Sequence, residues 1–232
     1  MINASDTERA SAKKRLQNLI SFSSEDGASA INSVFADATF VRLLPRRFVF
    51  RSGDDCDVFL ILLSGAIRVQ LNSSRGREVT LYRITPGISC VLTTSCLLNG
   101  DVYPAEAVVE SAIEALAISQ EDFYKVLECS PGFRQFAFKG FSVNLGKIIA
   151  KVEQLAFTSI DSRLSRALLD LHEKGENRIT HQELACELGT AREVVSRRLK
   201  HFESAGWIEL SRGRINVSDR NELQILGSQI AL

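Results

Sequence analysis

Residues 180–200 read THQELACELGTAREVVSRRLK and predict two short helices joined by a tight turn. Thr180 and Glu183 have the spacing of a capping box, in which the side chain of each residue bonds to the backbone amide of the other. Gly189 follows the last apolar residue of this helix. It is predicted to end the helix in the left-handed conformation that glycine adopts without strain.

A second helix is predicted to open at Thr190 and Glu193, which repeat the capping-box spacing. It runs to about Ala205, and Gly206 then stops it. Residues 207–217 read as a strand, a turn and a second strand. Two helices, a turn and a hairpin in this order indicate a helix-turn-helix unit followed by a wing.

The second helix has two chemically different faces. Its apolar positions follow helical spacing and are Ala191, Val195, Leu199 and Phe202. Its polar positions are Arg192, Glu193, Ser196, Arg197 and Lys200. Residues 190–214 carry six basic and three acidic side chains, whereas the whole chain carries 28 of each. Charge alone favours a solvated face, so this local excess of basic charge points to an anionic partner only in combination with the helix pair and the wing.

Double-stranded DNA is the predicted partner of the polar face. Arginine offers two parallel donors to guanine O6 and N7, and glutamate accepts from cytosine N4. Arg192, Glu193 and Arg197 are therefore predicted to reach base edges. The predicted phosphate contacts are Arg198, Lys200, Arg212 and Arg214, and the other predicted DNA contacts are Ser196, Thr180 and Thr190. The alternative is a solvated charged face on which Glu193 only caps its helix. The two capped helices and the wing together favour DNA.

A longer helix is predicted upstream, beginning near Pro131. Its apolar side chains alternate three and four residues apart, at Phe138, Phe141, Leu145, Ile148, Val152 and Leu155. Such a narrow heptad seam favours a partner helix in a dimer, and the alternative is a core helix packed on its own sheet. Gly140 and Gly146 weaken the helix locally.

The first half of the chain has the pattern of a β-domain. Between Thr39 and Ile118, short apolar or alternating runs are separated by turn signals such as Ser64-Gly65 and Pro86-Gly87. Several short strands at this spacing predict an antiparallel sandwich or barrel. Residues 6–22 come before these strands and mix charged side chains with apolar ones, which predicts an amphipathic helix or arm.

Composition and missing motifs exclude several classes of protein. Of the 232 residues, 45% are hydrophobic and 24% charged, as in packed proteins rather than disordered ones. The longest apolar run, Val58–Leu63, is too short to span a membrane, and the chain starts without an apolar signal segment, so a cytoplasmic protein is expected. Five cysteines without a Cys-x-x-Cys pair favour neither a disulfide framework nor a zinc module. The sequence contains no hydrolase, phosphate-loop, dinucleotide or metalloprotease motif, so an enzyme is not expected.

These segments together resemble the CRP/FNR superfamily of bacterial transcription regulators from about residue 30 onward. The resemblance is carried by Arg51-Ser-Gly-Asp54, Val58-Phe-Leu-Ile-Leu-Leu-Ser-Gly65, Tyr82–Gly87, His181–Ala185 and Leu188–Arg197. It implies an α+β protein with an antiparallel β-roll sensor domain of the cyclic-nucleotide-binding type, a long dimerisation helix and a winged helix-turn-helix. The expected limits are a helical arm at 1–27, the β-roll at 28–129, the dimerisation helix at 130–158 and the DNA-binding domain at 159–232.

The resemblance also implies how DNA is read. One branch of the superfamily uses Arg-Glu-x-x-x-Arg, which maps onto Arg192, Glu193 and Arg197. Another branch uses Glu-x-x-Ser-Arg, which maps onto Glu193, Ser196 and Arg197. A homodimer on a palindromic site is implied, with half-sites about 34 Å apart. RNA polymerase is a further implied partner, and a membrane is not.

The sensor region departs from the best-known relatives. Members that bind cyclic AMP place Gly-Glu and then Arg-Ser where this chain has Gly87-Ile88 and Tyr103-Pro104-Ala105. A phosphodiester without its cation loses a contact worth roughly 1.5–3 kcal/mol, so cyclic AMP is not expected. No cysteine precedes Cys56, so an N-terminal iron–sulfur cluster is not expected either. Haem is not expected because every histidine lies in the C-terminal domain, at His172, His181 and His201.

Cys90 and Cys96 lie where relatives keep their ligand pocket. Our hypothesis is a thiol switch, in which an oxidant or reactive sulfur species joins the two sulfur atoms and alters DNA binding. One alternative is two small buried side chains, since no Lys, Arg or His lies between residues 84 and 124 to activate a thiol. Another is a β-roll that binds an unidentified small molecule. Cys56 and Cys129 are expected to take no part, and Cys186 to lie in the core of the DNA-binding domain.

Overall fold

A computed structural model describes residues 6–20, 38–73 and 78–228. The helices are α1 Asp6–Leu19, α2 Val91–Asn99, α3 Gln120–Cys129, α4 Pro131–Phe157, α5 Ile160–Glu173, α6 His181–Leu188, α7 Arg192–Ser204 and α8 Arg220–Ser228. The strands are β1 Thr39–Leu43, β2 Phe48–Phe50, β3 Val58–Asn72, β4 Glu78–Ile84, β5 Glu106–Ser119, β6 Ile208–Ser211 and β7 Arg214–Val217. The predicted α+β class is confirmed.

A five-stranded sheet forms the centre of the first half, in the order β1-β5-β3-β4 with β2 also paired to β5. The pairings of β5 with β1, β2 and β3 are antiparallel, as predicted. Ser64-Gly65 does not form the predicted turn but lies inside β3, where the register on β5 shifts between Leu62 and Ile67. Gly65 has a φ of +82°, and a Cβ there would overlap the carbonyl oxygen of Ala112. The glycine therefore marks an irregularity within a long strand.

Aromatic rings fill the core beneath this sheet. Phe59 of β3 lies 4.8 Å from Phe123 of α3 and 5.5 Å from Phe133 of α4, measured between ring centroids. All three side chains are fully buried. The predicted N-terminal helix is confirmed by α1, which buries Leu16 against the same core. Residues 21–27 of the predicted arm, and the predicted start of the β-roll at residue 28, lie outside the described residues.

The described residues divide into two compact units. One lies within residues 1–70 and 81–148, and the other within residues 71–80 and 149–232. The division falls inside α4, ten residues before the limit expected between residues 158 and 159. The last turns of α4 belong with the second unit because they pack on α6. Lys151 Nζ donates to the carbonyl of Glu187 at 2.8 Å, and Leu155 lies against Gly189.

The second unit contains the predicted series of three helices and a hairpin, α5 to β7. Its core consists of buried aliphatic and aromatic side chains, among them Leu164, Leu168, Leu184, Leu188, Val195, Leu199 and Phe202. A further helix, α8, follows the hairpin and packs on α5, where the hydroxyl of Ser162 donates to the carbonyl of Leu226 at 2.8 Å. Sequence patterning did not predict α8, which buries only one large side chain, Leu223.

Candidate nucleic-acid interface

The start and end of α6 have the predicted geometry. Thr180 Oγ1 accepts from the amide of Glu183 at 3.1 Å, and the Glu183 carboxylate accepts from the amide of Thr180 at 2.7 Å. Gly189 ends the helix with a φ of +61°. A Cβ at Gly189 would lie 2.7 Å from Leu155 Cδ2, so both the backbone conformation and the space require glycine. The first helix of the pair is thus fixed at both ends by local sequence.

The predicted capping box at Thr190 is wrong. Helix α7 begins at Arg192, and its N-cap is Ala191, which makes no side-chain capping bond. Thr190 is instead part of the end of α6, since its amide donates to the carbonyl of Ala185 at 3.0 Å. The turn needs one more residue than the sequence pattern suggested, so Thr190 is too early to cap α7.

Helix α7 has the two faces that the sequence predicted. Val195, Leu199 and Phe202 are completely buried in the core of the unit. The side chains predicted to meet DNA are mostly exposed, namely Arg192, Glu193, Arg197, Arg198 and Lys200. Basic and acidic groups that can reach base edges or phosphates therefore share one solvent-facing surface.

Two predicted DNA contacts on α7 have side-chain partners on a neighbouring helix. Arg198 Nε lies 3.2 Å from a carboxylate oxygen of Asp161 on α5, so the side chain of Arg198 is directed toward α5. Ser196 is partly buried, and its hydroxyl lies 2.8 Å from Nδ1 of His181 on α6. Neither contact was foreseen, because each depends on how α7 packs on a neighbouring helix.

The wing follows α7 as the antiparallel pair β6 and β7, whose register joins Ser211 to Arg214. Gly213 at its tip has a φ of +71°, and both Arg212 and Arg214 are exposed. A cleft of about 400 Å³ lies between the wing and the starts of α6 and α7. Its lining includes His181, Gln182, Arg192 and Arg214. Two guanidinium groups at one cleft suit a phosphate oxygen of a nucleic-acid backbone.

The predicted seam of α4 divides into two sets. Phe138, Leu145 and Val152 are 57%, 44% and 60% exposed. Phe141 and Ile148 are partly buried against the core of the first unit, and Leu155 is partly buried near Gly189. Half of the predicted seam is therefore exposed in the single chain, and the other half is partly buried within it. Ile149 is also 60% exposed, and we name Phe138, Leu145, Ile149 and Val152 the exposed stripe.

Cys90 and Cys96 lie at the start and in the body of α2, and both are buried. Cys90 caps the helix, its sulfur accepting from the amide of Thr93 at 3.5 Å. An ideal helix rises about 9 Å over six residues, more than the roughly 7 Å between Cα atoms that a disulfide spans. A disulfide between Cys90 and Cys96 therefore requires a change in the conformation of α2. Burial also raises the pKa of Cys96 to about 11, which favours the protonated thiol near neutral pH.

Cys56 is a third buried cysteine, and it contacts α2. Its sulfur lies 3.0 Å from the hydroxyl of Tyr103 and 3.8 Å from the carbonyl oxygen of Thr93. The Tyr82 hydroxyl lies 3.6 Å from the Cys90 sulfur. Burial raises the pKa of Cys56 as well. No sequence signal predicted the contact of Cys56 with Thr93 of α2, because it joins distant parts of the chain.

The residues at the expected ligand site do not fit a cyclic nucleotide. Tyr103, where relatives have the arginine that binds phosphate, is buried and stacked on Phe50 at 3.7 Å between ring centroids. Its hydroxyl bonds to Cys56 and Thr93. Tyr103 thus supplies no cation for a phosphate, and its hydroxyl is already bonded to neutral groups of the chain.

Metal ligands and membrane spans are both missing from the described part of the chain. Within residues 6–20, 38–73 and 78–228, no group of three or more His, Cys, Asp or Glu side chains is arranged to hold a metal ion. Among the helices of those same ranges, none is long and apolar enough to cross a membrane.

Comparisons with known proteins agree with this geometry. Residues 40–129 match the cyclic nucleotide-binding domain family, and residues 162–226 match the Crp-like helix-turn-helix domain family. The Cyclic AMP receptor protein of Thermus thermophilus is 28% identical over 82% of this chain and 89% of its own. A CRP/FNR-family regulator from Eubacterium rectale has a TM-score of 0.76 at 25% identity, covering 87% of this chain and 94% of its own. The c-di-GMP responsive regulator CLP of Xanthomonas campestris has a TM-score of 0.72 at 24% identity, covering 82% and 98%.

Proposed function

Since this chain belongs to the CRP/FNR superfamily of DNA-binding transcription regulators, we propose that it acts as a homodimer on a palindromic operator. Its partners are then double-stranded DNA, a second copy of the chain and RNA polymerase, in the cytoplasm. It acts by binding and not by catalysis. Each subunit presents α7 to one half-site, and the half-sites are about one helical turn apart.

The observation that carries this proposal is the exposed face of α7 beside the wing. Arg192, Glu193 and Arg197 are exposed on a helix whose opposite side is fully buried. A helix held rigidly by its core and presenting bidentate donors suits the major groove. Arg212 and Arg214 on the wing add cations that suit the adjacent phosphates.

The exposed stripe of α4 supports the homodimer. The four large apolar side chains of the stripe follow helical spacing and are exposed to solvent in the single chain. Exposed apolar surface of this kind marks an interaction site, and the same stripe on a second copy is its complement in a twofold dimer. Burial of the stripe between two copies removes it from water.

Selection of DNA by the purified protein tests the operator proposal. The protein is incubated with a library of randomised duplexes in reducing and in oxidising buffer, and the bound fraction is sequenced. We expect an enriched palindrome in at least one buffer. Recovery of random sequence in both buffers contradicts the proposal.

We propose that the protein senses its signal through thiol chemistry in the β-roll, by a route that takes the geometry of α2 into account. Peroxide converts one thiol of Cys90 or Cys96 to a sulfenic acid and water, and the second thiol displaces water to form the disulfide. Because the helical spacing is too long for a disulfide, the reaction requires α2 to unwind. Unwinding of α2 is the conformational change that then alters DNA binding.

A second candidate is a β-roll that binds an unidentified small molecule, with the thiols structural. The burial of Cys90 and Cys96 and the raised pKa of Cys96 favour this candidate. Operator affinity before and after peroxide or polysulfide treatment separates the two. Thiol chemistry predicts that Cys90→Ser and Cys96→Ser abolish the response, while the control Cys129→Ser, at an exposed cysteine, retains it. An unchanged response in both variants contradicts the thiol switch.

A further inference from the structure

His181 and Ser196 form a contact that joins the two helices of the helix-turn-helix. His181 is the first residue of α6, and Nδ1 of its ring lies 2.8 Å from the Ser196 hydroxyl on α7. Both side chains are partly buried. His181 also lines the cleft between the wing and the two helix starts, so it lies beside the surface proposed to meet DNA.

The fold does not depend on this contact for its main interactions. The start of α6 is capped by Thr180 and Glu183 without the imidazole. The two helices pack through completely or almost completely buried side chains, Leu184, Leu188, Val195 and Leu199. The remaining effect of the His181 contact is to orient a hydroxyl group that would otherwise rotate freely.

Ser196 is well placed for that orientation to matter. It lies one turn after Arg192 and one turn before Lys200 on α7, next to Arg197. A serine hydroxyl has one proton and two lone pairs. If it donates to His181, it can only accept from a base; if it accepts from His181, its proton is free for a base. In the major groove cytosine offers only a donor, guanine and thymine offer only acceptors, and adenine offers one of each, so the choice separates cytosine from guanine and thymine.

We propose that His181 is a positioning residue for base recognition by Ser196. The imidazole holds the serine hydroxyl and determines which hydrogen bond it offers to the base edge. His181 thereby influences sequence preference without itself contacting a base. The inference rests on the proposed function, in which α7 reads the operator.

The test compares the base preferences of the wild type and four variants on the palindrome that the wild type selects. Each half-site position is substituted in turn, and dissociation constants are measured by fluorescence anisotropy at fixed salt. We expect Ser196→Ala and His181→Phe to lose preference at the same position, by roughly fivefold or more. His181→Asn keeps a hydrogen-bonding atom near the place of Nδ1, so we expect it to restore the preference. His181→Ala is measured beside His181→Phe, and thermal unfolding confirms that each variant folds.

A double variant separates positioning from a structural effect. In the Ser196→Ala background, we expect His181→Phe to cause no further change in base preference. Equal weakening of operator and random DNA by His181→Phe, or a changed preference when Ser196 is already absent, overturns the inference. Failure of the wild type to prefer any palindrome overturns the proposed function instead, so the two failures are distinct.

Discussion

Arg197 lies on the exposed face of α7, where its Nε donates to the carbonyl of Glu193 at 3.4 Å. The remaining guanidinium donors suit a guanine edge. We expect Arg197→Ala to cost roughly 1–3 kcal/mol of discrimination between operator and random DNA, with a smaller effect on random DNA alone. Fluorescence anisotropy with both duplexes at one salt concentration measures the difference.

The matched control is Arg220→Ala. Arg220 is an exposed arginine of the same unit, and it forms an ion pair with Glu173 away from α7. Its removal changes the net charge equally, so we expect little change in operator preference. An equal loss on operator and random DNA in Arg197→Ala would show that Arg197 is only a phosphate contact.

Cys96 gives the β-roll a predicted sensitivity to alkaline pH. Burial raises the pKa of Cys96 to about 11, above the value of about 8.5 of a thiol in an unfolded chain. Between these values the unfolded chain releases the proton and the folded chain keeps it. The contribution of this thiol to the free energy of unfolding is therefore fully present below about pH 8.5. It falls as the pH rises toward 11, by at most about 1.4 kcal/mol per pH unit.

Urea unfolding at pH 8.0 and pH 9.5 measures this loss at pH values below the ordinary tyrosine pKa of about 10. We expect Cys96→Ala to show a smaller fall in the free energy of unfolding than the wild type. Cys129→Ala, at an exposed position, should retain the wild-type fall. A wild-type slope in Cys96→Ala would contradict the assignment to this thiol.

The residue types predicted which chemical groups the interface carries. They did not predict which of these side chains have partners within the chain. Arg192, Glu193 and Arg197 are exposed on α7 as expected. Ser196 and Arg198 have partners on α6 and α5, and those contacts depend on packing that no local pattern encodes. The same reason explains why the contact of Cys56 with Thr93 on α2 was not predicted.

At the scale of elements, Gly189 is a position where the end of α6 and the last turns of α4 approach each other closely. Its φ is +61°, and a Cβ on this residue would lie 2.7 Å from Leu155 Cδ2, so both the backbone and the space oppose a side chain. We expect Gly189→Ala to destabilise the protein by about 1–3 kcal/mol from the backbone alone, with an added cost from the overlap. Urea denaturation measures the change in the free energy of unfolding.

Gly175→Ala is the matched control for the overlap. Gly175 has a φ of +70°, but a Cβ there meets nothing within 4 Å. The difference between the two variants isolates the contact with Leu155. Equal destabilisation would contradict the close approach of α4 to α6.

The exposed stripe of α4 predicts the effect of a charge on self-association. We expect Val152→Glu to weaken the dimer at least tenfold, because a carboxylate in an apolar interface loses its hydration without a partner. Lys147→Glu is the control, since Lys147 is exposed on the same helix but outside the stripe. Sedimentation equilibrium measures both dissociation constants. Equal association of wild type and Val152→Glu would show that the stripe is not the interface.

Elements with strong local signals were predicted well, and those that depend on packing were not. The capping box of Thr180 and the glycine at 189 defined α6 at both ends. The start of α7 was predicted too early, because Thr190 is used to end α6. The heptad in α4 was visible in the sequence, but only packing divides it into an exposed stripe and a set turned toward the chain's own core.

At the scale of the whole molecule, the two kinds of unit could be predicted because the spacing of apolar residues changes along the chain. Alternating runs indicated the β-sheet, and helical spacing with two turns indicated the helix-turn-helix. The division within α4 and the grouping of residues 71–80 with the second unit could not be predicted, because they follow from contacts between distant segments. The resemblance of the motifs supplied the order of the units.

The central claim is that two copies of this chain recognise one palindrome through α7. The most direct measurement is the stoichiometry and affinity of the purified protein on the selected palindrome, on a single half-site and on scrambled DNA, by sedimentation velocity with labelled duplexes. We predict two chains per palindrome and binding at least roughly a thousandfold tighter than to scrambled DNA. One chain per duplex, or equal affinity for all three duplexes, would contradict the account.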